Sequence, residues 1–327
     1  MTKTHVEYPT DIGLLFDAIR KIIISTARLH EDYGLSEWRQ YQFNIKQIKR
    51  SLRQTQLKKR HQRRADDRLK QQRIGDVHRH YLHQVERQLE RARTTLQQLN
   101  MKHALNTSQL VTYAKIEQYM QHADRQMDQI KRRVLNGEVI PHTEKVFSVF
   151  QPHTEWIVKG KAGVPMELGV RVGIVEDQYQ FILHHQVMEK QTDDQVAVPL
   201  IEEAQRRFAD LKTCSFDKGF HSPGNQVELA KRLDVVALPS KGRPAKKVRE
   251  REQSAEFQQA HSKHAAVESA INALQVHGLD CCPDHGIEGF KRYVSLAILA
   301  RNIQRLGEVL IHRHRKRQAR MKRRRAA

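Results

Sequence analysis

From about residue 38 to residue 135 the chain has no proline and a single glycine, Gly75, in a sequence rich in Gln, Arg, Lys, Leu and Ala. Proline removes a backbone donor and clashes with the preceding turn, and glycine weakens a helix through its backbone entropy, so so long a run without them favours helix. Apolar residues recur in it at helical spacing, as in Ile45, Ile48, Leu52 and again in Tyr81, Val85, Leu89. Two or three long, coiled-coil-like helices are predicted. Within them, residues 49–73 hold eleven Lys/Arg and two Asp. That segment is a basic helical face, either turned to a ligand or simply solvated.

The flanks carry other signals. Ahead of the run, Thr10 or Asp11 follows Pro9 as a helix N-cap, and Ile12, Leu15, Ile19, Ile22 and Ile23 continue a helix to about Leu29. After Asn136-Gly137 the pattern turns to strands: 146–150, 168–175 and 181–187, with a Lys159–Gly163 loop between the first two, as in an antiparallel meander. A helix is expected near 195–208. Then come a strand at 213–216, a helix at 225–233 and a strand at 235–238, which is the signature of a parallel βαβ element. Lys241–Glu252 is basic and loop-like. Helices at 265–274 and 290–310 follow, and the last stretch, 313–325, holds nine Lys/Arg and is expected to be disordered when free.

Charge narrows the partner. Lys plus Arg is 58 against 37 Asp plus Glu, a formal net charge of +21, and it is clustered. Such a chain meets a polyanion, with DNA or RNA first. There is no apolar stretch of transmembrane length, so no transmembrane helix and no membrane partner are expected, and the first residues show no signal-peptide apolar run. Three cysteines, two of them adjacent at Cys281-Cys282, give neither a disulfide framework nor a zinc spacing and fit the cytoplasm.

Two acids stand out. Asp217 leaves a short apolar strand just before Lys218-Gly219-Phe220, at a strand end where α/β sheets bind ligands. A carboxylate there either holds a divalent cation or caps the following turn. Gly219 is expected to permit a tight turn. Glu268 lies beside an apolar face formed by Val267, Ile271 and Leu274, and either reaches inward to a metal or makes an i,i+4 surface contact. Together the pair suits phosphoryl transfer assisted by Mg²⁺ or Mn²⁺, which needs carboxylates and no protein nucleophile.

An ordered set of blocks carries a resemblance: Val6-Glu7-Tyr8-Pro9-Thr10-Asp11-Ile12-Gly13-Leu14-Leu15, Phe147-Ser148-Val149-Phe150, Lys159-Gly160-Lys161, Glu167-Leu168-Gly169, Asp217-Lys218-Gly219-Phe220 and Val267-Glu268-Ser269. In this order, spanning essentially the whole chain, they resemble bacterial insertion-sequence DDE transposases of the group called "not classified yet". The resemblance implies an α/β, RNase H-like mixed sheet flanked by helices, with a large helical insertion. It divides the chain into a start of the catalytic domain (1–14), a basic helical insertion (15–135), an RNase H-like core (136–312) and a basic tail (313–327). It implies Asp217 and Glu268 as the second and third catalytic acids and metal ligands. In similar proteins the first catalytic Asp precedes the Tyr-Pro-Thr-Asp block; here Met1 to Glu7 offers no Asp, as in an N-terminally truncated product. Glu144, Glu155 and Asp177 are other acids near the sheet, Glu155 the best placed of them, and none is taken as a substitute.

The function so implied is Mg²⁺-dependent cleavage and strand transfer of DNA at transposon ends by a homo-oligomer, incomplete if the first acid is lost. Lys159, Lys161, Lys241 and Arg243 are the expected DNA-phosphate contacts. His184, His185 and Trp156 are weaker candidates for lining the site. Two other readings stay open: a non-catalytic DNA-binding remnant dimerising through the 38–135 helices, and an RNA-associated helical scaffold.

Overall fold

A computed structural model of the chain describes residues 1–4, 6, 9–60, 67–158 and 166–326, without the side chains of 58–60, 67, 265, 266, 268 and 323–326. The expected Lys159–Gly163 loop, and with it Lys159 and Lys161, lies outside the described residues. The chain divides into two compact units, residues 6–152 and residues 1–5 with 153–327.

The first unit is helical. Thr10 is the N-cap of α1 (Asp11–Glu31), its hydroxyl accepting the Gly13 N–H at 3.2 Å. The expected long helices are three: α2 (Tyr41–Arg60), α3 (Asp67–Lys102) and α4 (Thr107–Ile130), the last closed by one π turn over Lys131–Leu135. Asn106 and Gln109 form a reciprocal capping box that starts α4. Because α1 is the most apolar of the four, it takes the centre and packs against all three others. Leu15, Ala18, Ile19, Ile22 and Ile23 are wholly buried there. Two polar groups drawn into this core are paired: the Tyr81 hydroxyl donates to the Ile12 carbonyl at 2.9 Å, and Trp38 Nε1–H donates to Thr95 Oγ1 at 3.1 Å.

The strand expected at 146–150 is a bend. Ser148 Oγ accepts the N–H groups of Phe150 and Gln151 at 3.2 and 3.0 Å, which diverts those donors from a ladder. Phe147 and Val149 are buried all the same. Their alternation signalled burial, and burial alone does not supply a partner strand.

The second unit is mixed α/β. Its five-stranded sheet consists of β1 (Thr2–Thr4), β2 (Glu155–Val158), β3 (Met166–Glu176), β4 (Ile182–Met188) and β7 (Cys281–Cys282). The long strand β3 pairs antiparallel with β1, β2 and β4, while β7 runs parallel to β1. The expected meander is therefore present with 155–158, not 146–150, as its first strand. Gly169 sits opposite both Lys3 and Glu155. A Cβ there would lie 2.2 Å from the Thr2 carbonyl oxygen, so only glycine admits β1 this closely.

Alternation along β3 builds three layers. Val170, Val172 and Ile174 pack under Phe290, Val294 and Ile298 of α10 (Gly286–Ala326). Val175 meets Val196, Leu200 and Ala204 of α5 (Asp193–Arg207), and Gly173 makes room for Leu200. Period-two alternation thus places α5 on one face and α10 on the other. The βαβ expectation holds: β5 (Thr213–Ser215) and β6 (Val235–Ala237) are parallel, joined through α6 (Pro223–Ala230), in a two-stranded sheet of their own.

Two basic segments are more ordered than expected. Residues 246–252 form a short helix, α7 (Lys246–Glu252), followed by α8 (Ala255–Lys263) and α9 (Ala265–Leu274). The tail is a continuation of α10 to Ala326. Beyond Gly307 it has neither glycine nor proline and is mostly Arg, Lys, Gln and Ala. Strong helix formers extending an existing helix avoid the cost of nucleation. No described helix is long and apolar enough to cross a membrane.

Glu176, at the end of β3, has both carboxylate oxygens buried without a hydrogen-bond partner among the described residues. Burial pushes its pKa up to about 7, against the opposing pull of Arg301 and Arg305. The unfolded chain therefore releases this proton before the folded one does. The contribution is present below the ordinary glutamate range and is lost as pH rises toward about 7. Glu176→Gln is expected to flatten the fall in urea midpoint between pH 5 and pH 7 (roughly the window between the two pKa values). An unaltered pH profile would place the titration elsewhere. In the helical unit, Ile19→Ala should cost about 3 kcal/mol, whereas Leu110→Ala, on an exposed face, should stay within about 0.5 kcal/mol, both read from urea unfolding by circular dichroism.

Candidate functional site around Asp217

The short strand β5 is anchored by the apolar residue that follows it. Phe216 is buried against Ile201, Leu229, Leu233 and Leu238, and its N–H donates to the Ala237 carbonyl at 3.0 Å. Asp217 is the next residue, and its side chain is 72% exposed. The chain then makes one 3₁₀ turn, Lys218–Phe220. Gly219 is needed there for space and not for a left-handed backbone: a Cβ would lie 2.5 Å from Asp193 Oδ2, and φ is not positive. Ser222 caps α6, and Asn225 Nδ2–H donates to the carbonyls of Asp194 and Phe220 at 2.6 and 2.9 Å, locking the turn.

The partner of Asp217 is a histidine between two helices. α8 starts at the Ser254 cap and buries Phe257 and Ala260 against Ala237 of β6. It ends at His264, where α9 begins. His264 Nε2 lies 3.0 Å from Asp217 Oδ1, and His264 Nδ1 lies 3.1 Å from Ser215 Oγ. A neutral ring meets both contacts in one tautomer, with Nε2–H donating to the carboxylate and Nδ1 accepting from the serine hydroxyl. The hydrogen bond from His264 holds the Asp217 carboxyl below the usual carboxylate range, outweighing its partial burial, and charge on His264 and His261 where they are protonated adds to it. Asp217 is thus an ionised, solvent-facing oxygen donor of fixed orientation.

Glu268 lies four residues beyond His264 on α9, about 6 Å along the axis. The His264–Asp217 contact therefore ties the strand exit that bears Asp217 to the helix whose next turn bears Glu268, 51 positions on in sequence (268 minus 217). Among the described side chains of α9, Ala270 and Leu274 are buried; Ile271, expected on the apolar face with Val267 and Leu274, is exposed. An i, i+4 pair such as Ala270 and Leu274 lies along one line of the helix, and Ile271 is rotated off it.

The other expected residues are spread out. Lys241 is beside the site: its Nζ donates to the Gly219 carbonyl at 2.8 Å. Arg243 is exposed in the loop before α7. His184 and His185 lie on β4, with His185 Nε2 3.1 Å from Ser295 Oγ, and Trp156 lies on β2. The acids weighed as substitutes are engaged elsewhere. Glu144 pairs with Arg132 at 2.7 Å, and Glu155 pairs with Arg171 at 3.1 Å and accepts the Lys190 N–H. Asp177 accepts the N–H groups of Tyr179 and Phe181 in a turn.

Ser215 and His264 were not singled out from sequence. Ser215 is two residues before Asp217, hence on the same side of an extended strand, and His264 is one helical turn before Glu268. Both spacings are legible, but nothing in sequence joins the strand end to the helix start.

If the His264 bond is what holds Asp217 ionised, His264→Ala will return its carboxyl pKa upward toward the ordinary aspartate value of about 3.9, and Ser215→Ala will do so partly. Carbon-detected NMR titration, with the signal assigned through Asp217→Asn, reads this directly; an unshifted titration in His264→Ala would refute it. Compared with protein-family models, with curated proteins and with solved structures, the chain gives no match in any of the three.

Proposed function

We propose that the chain is the catalytic part of a DDE-type, RNase H-like transposase, acting in the cytoplasm as a homo-oligomer on transposon-end DNA. One observation carries the reading: the 3.0 Å bond from His264 to Asp217 couples the exit of β5 to the first turn of α9, the helix that bears Glu268. Acids on a strand end and an adjacent helix are two of the carboxylates that metal-assisted hydrolysis and transfer of phosphodiesters use. The mixed α/β unit, with α5 and α10 on opposite faces of the five-stranded sheet and a βαβ unit in a second sheet, supports the coarser, α/β part of that reading.

The Asp217 carboxylate suits a hard divalent cation. Asp217 offers an ionised, exposed carboxylate, and Asp217 with Glu268 would hold Mg²⁺ or Mn²⁺. When bound, such an ion neutralises charge developing at the phosphorus and polarises its oxygens. The protein's share is positional. Ser215 fixes the His264 ring, His264 fixes the Asp217 carboxylate, and Lys241 stays beside Gly219 with Arg243 exposed nearby to meet phosphate. The net charge of +21 supplies the sequence-independent part of DNA affinity.

A second reading, DNA binding without cleavage, is favoured by one feature: β1 brings Thr2, Lys3 and Thr4 into the sheet, and no carboxylate. Both readings give affinity that falls steeply with salt. They separate on nicking. On the first, Asp217→Ala and Glu268→Ala each reduce Mg²⁺-dependent nicking of a transposon-end duplex to background while leaving salt-sensitive binding intact. Undiminished nicking in either variant would remove that residue from the site, and a wild-type chain that binds without nicking would leave the second reading.

A further inference from the structure

Helix α10 has two apolar faces. One packs on the sheet through Phe290, Val294 and Ile298. The other is an exposed line, Leu296, Leu299, Ile303, Leu306 and Leu310, each between 49% and 61% accessible. At 100° per residue this line points almost directly away from the sheet face. Its spacing is three, four, three, four. That is a heptad seam, in which every residue is an a or d position, and it is narrower than the broad stripe of a helix lying on a core.

We infer that this seam pairs two copies of the chain in an antiparallel helical dimer. The geometry suits a helix of the same repeat, because a knob at each a or d position needs a hole of matching spacing in its partner. A second copy provides that spacing. The flanking positions raise no charge barrier: Ala300 and Gly307 lie on one side, Asn302 and Val309 on the other. The two small residues let backbones approach. Sheet packing on the opposite face already holds α10 helical, so pairing does not pay the nucleation cost that makes short isolated seams weak. Five aliphatic side chains per copy, with their flanks, close on the order of 1,000 Å², the lower bound of a specific interface.

Charge sets the direction. Parallel pairing would lay the nine Lys/Arg of one tail (313–325) against the nine of the other. Antiparallel pairing carries each tail past the start of the other copy's α10, where Glu288 is paired with Lys291 and Asp284 with Arg292. There the like charges are balanced. The basic ends then point outward from both sides of the dimer.

Sedimentation equilibrium of the full chain in the micromolar range is expected to give the dimer mass. The double variant Leu299→Glu, Ile303→Glu should sediment as a monomer with unchanged helical circular dichroism. Val276→Glu, at a more exposed apolar position off the seam, should remain dimeric. A monomeric wild-type chain, whatever else binds the seam, would overturn the inference, and so would a double variant that stays dimeric. Spin labels carried by a non-natural residue at position 317 test direction. Antiparallel copies place them about 40 Å apart, from 1.5 Å per residue on either side of the seam centre, whereas a separation of about 10 Å would mean parallel pairing and would overturn the arrangement.

Discussion

The α/β unit depends on the alternation along β3. A single extended strand offers two faces, and here both are apolar: Val170, Val172 and Ile174 on one, Gly173 and Val175 on the other. Neither face survives in water, so each draws a helix. The helix on the first face begins after β7, and β7 itself lies parallel to β1, so the N-terminal residues are fixed by a segment nearly 280 positions away in sequence (Lys3 opposite Cys281). Lys3 adds an ion pair with Asp280 at 3.0 Å, of small worth because both ends are exposed. Gly169 is the steric condition for this arrangement, since any side chain there would displace β1.

Asp217 and His264 depend on different packing and meet by consequence. Phe216 sinks into the cluster under α6 and forces Asp217 outward. Phe257 sinks against β6 and brings the end of α8 over the same strand pair. Two unrelated hydrophobic anchors therefore set one polar contact. The direction of pKa change at Asp217 follows from that contact, because a donor aimed at a carboxylate favours its charged form and partial burial opposes it less strongly. Glu176 is the opposite case on the same sheet: it is buried without a donor, and its proton is retained toward neutrality.

α10 joins a core role to a surface role through helical periodicity. Residues four apart along it fill the sheet interface, and residues three and four apart on the far side make the seam. The basic extension then costs little order, since the helix is already nucleated by its packed half. A run of charge that in isolation belongs to a disordered tail becomes helical because of what precedes it.

Sequence by itself determined the elements whose signal is local. The Thr10 cap, the long proline-free helices, β3 and β4, the βαβ order and the place of an acid at the strand exit after Phe216 all follow from periodicity, capping and breakers within a few residues. It also marked 146–150 as buried, without telling that Ser148 would bend it. Tertiary structure alone decided which distant pieces meet. It set β1 against β7, moved the requirement at Gly219 from backbone freedom to space beside Asp193, and brought His264 to Asp217. The reason is physical: alternation and helical period fix which way a side chain faces, while the partner it faces is chosen by packing between segments far apart in the chain.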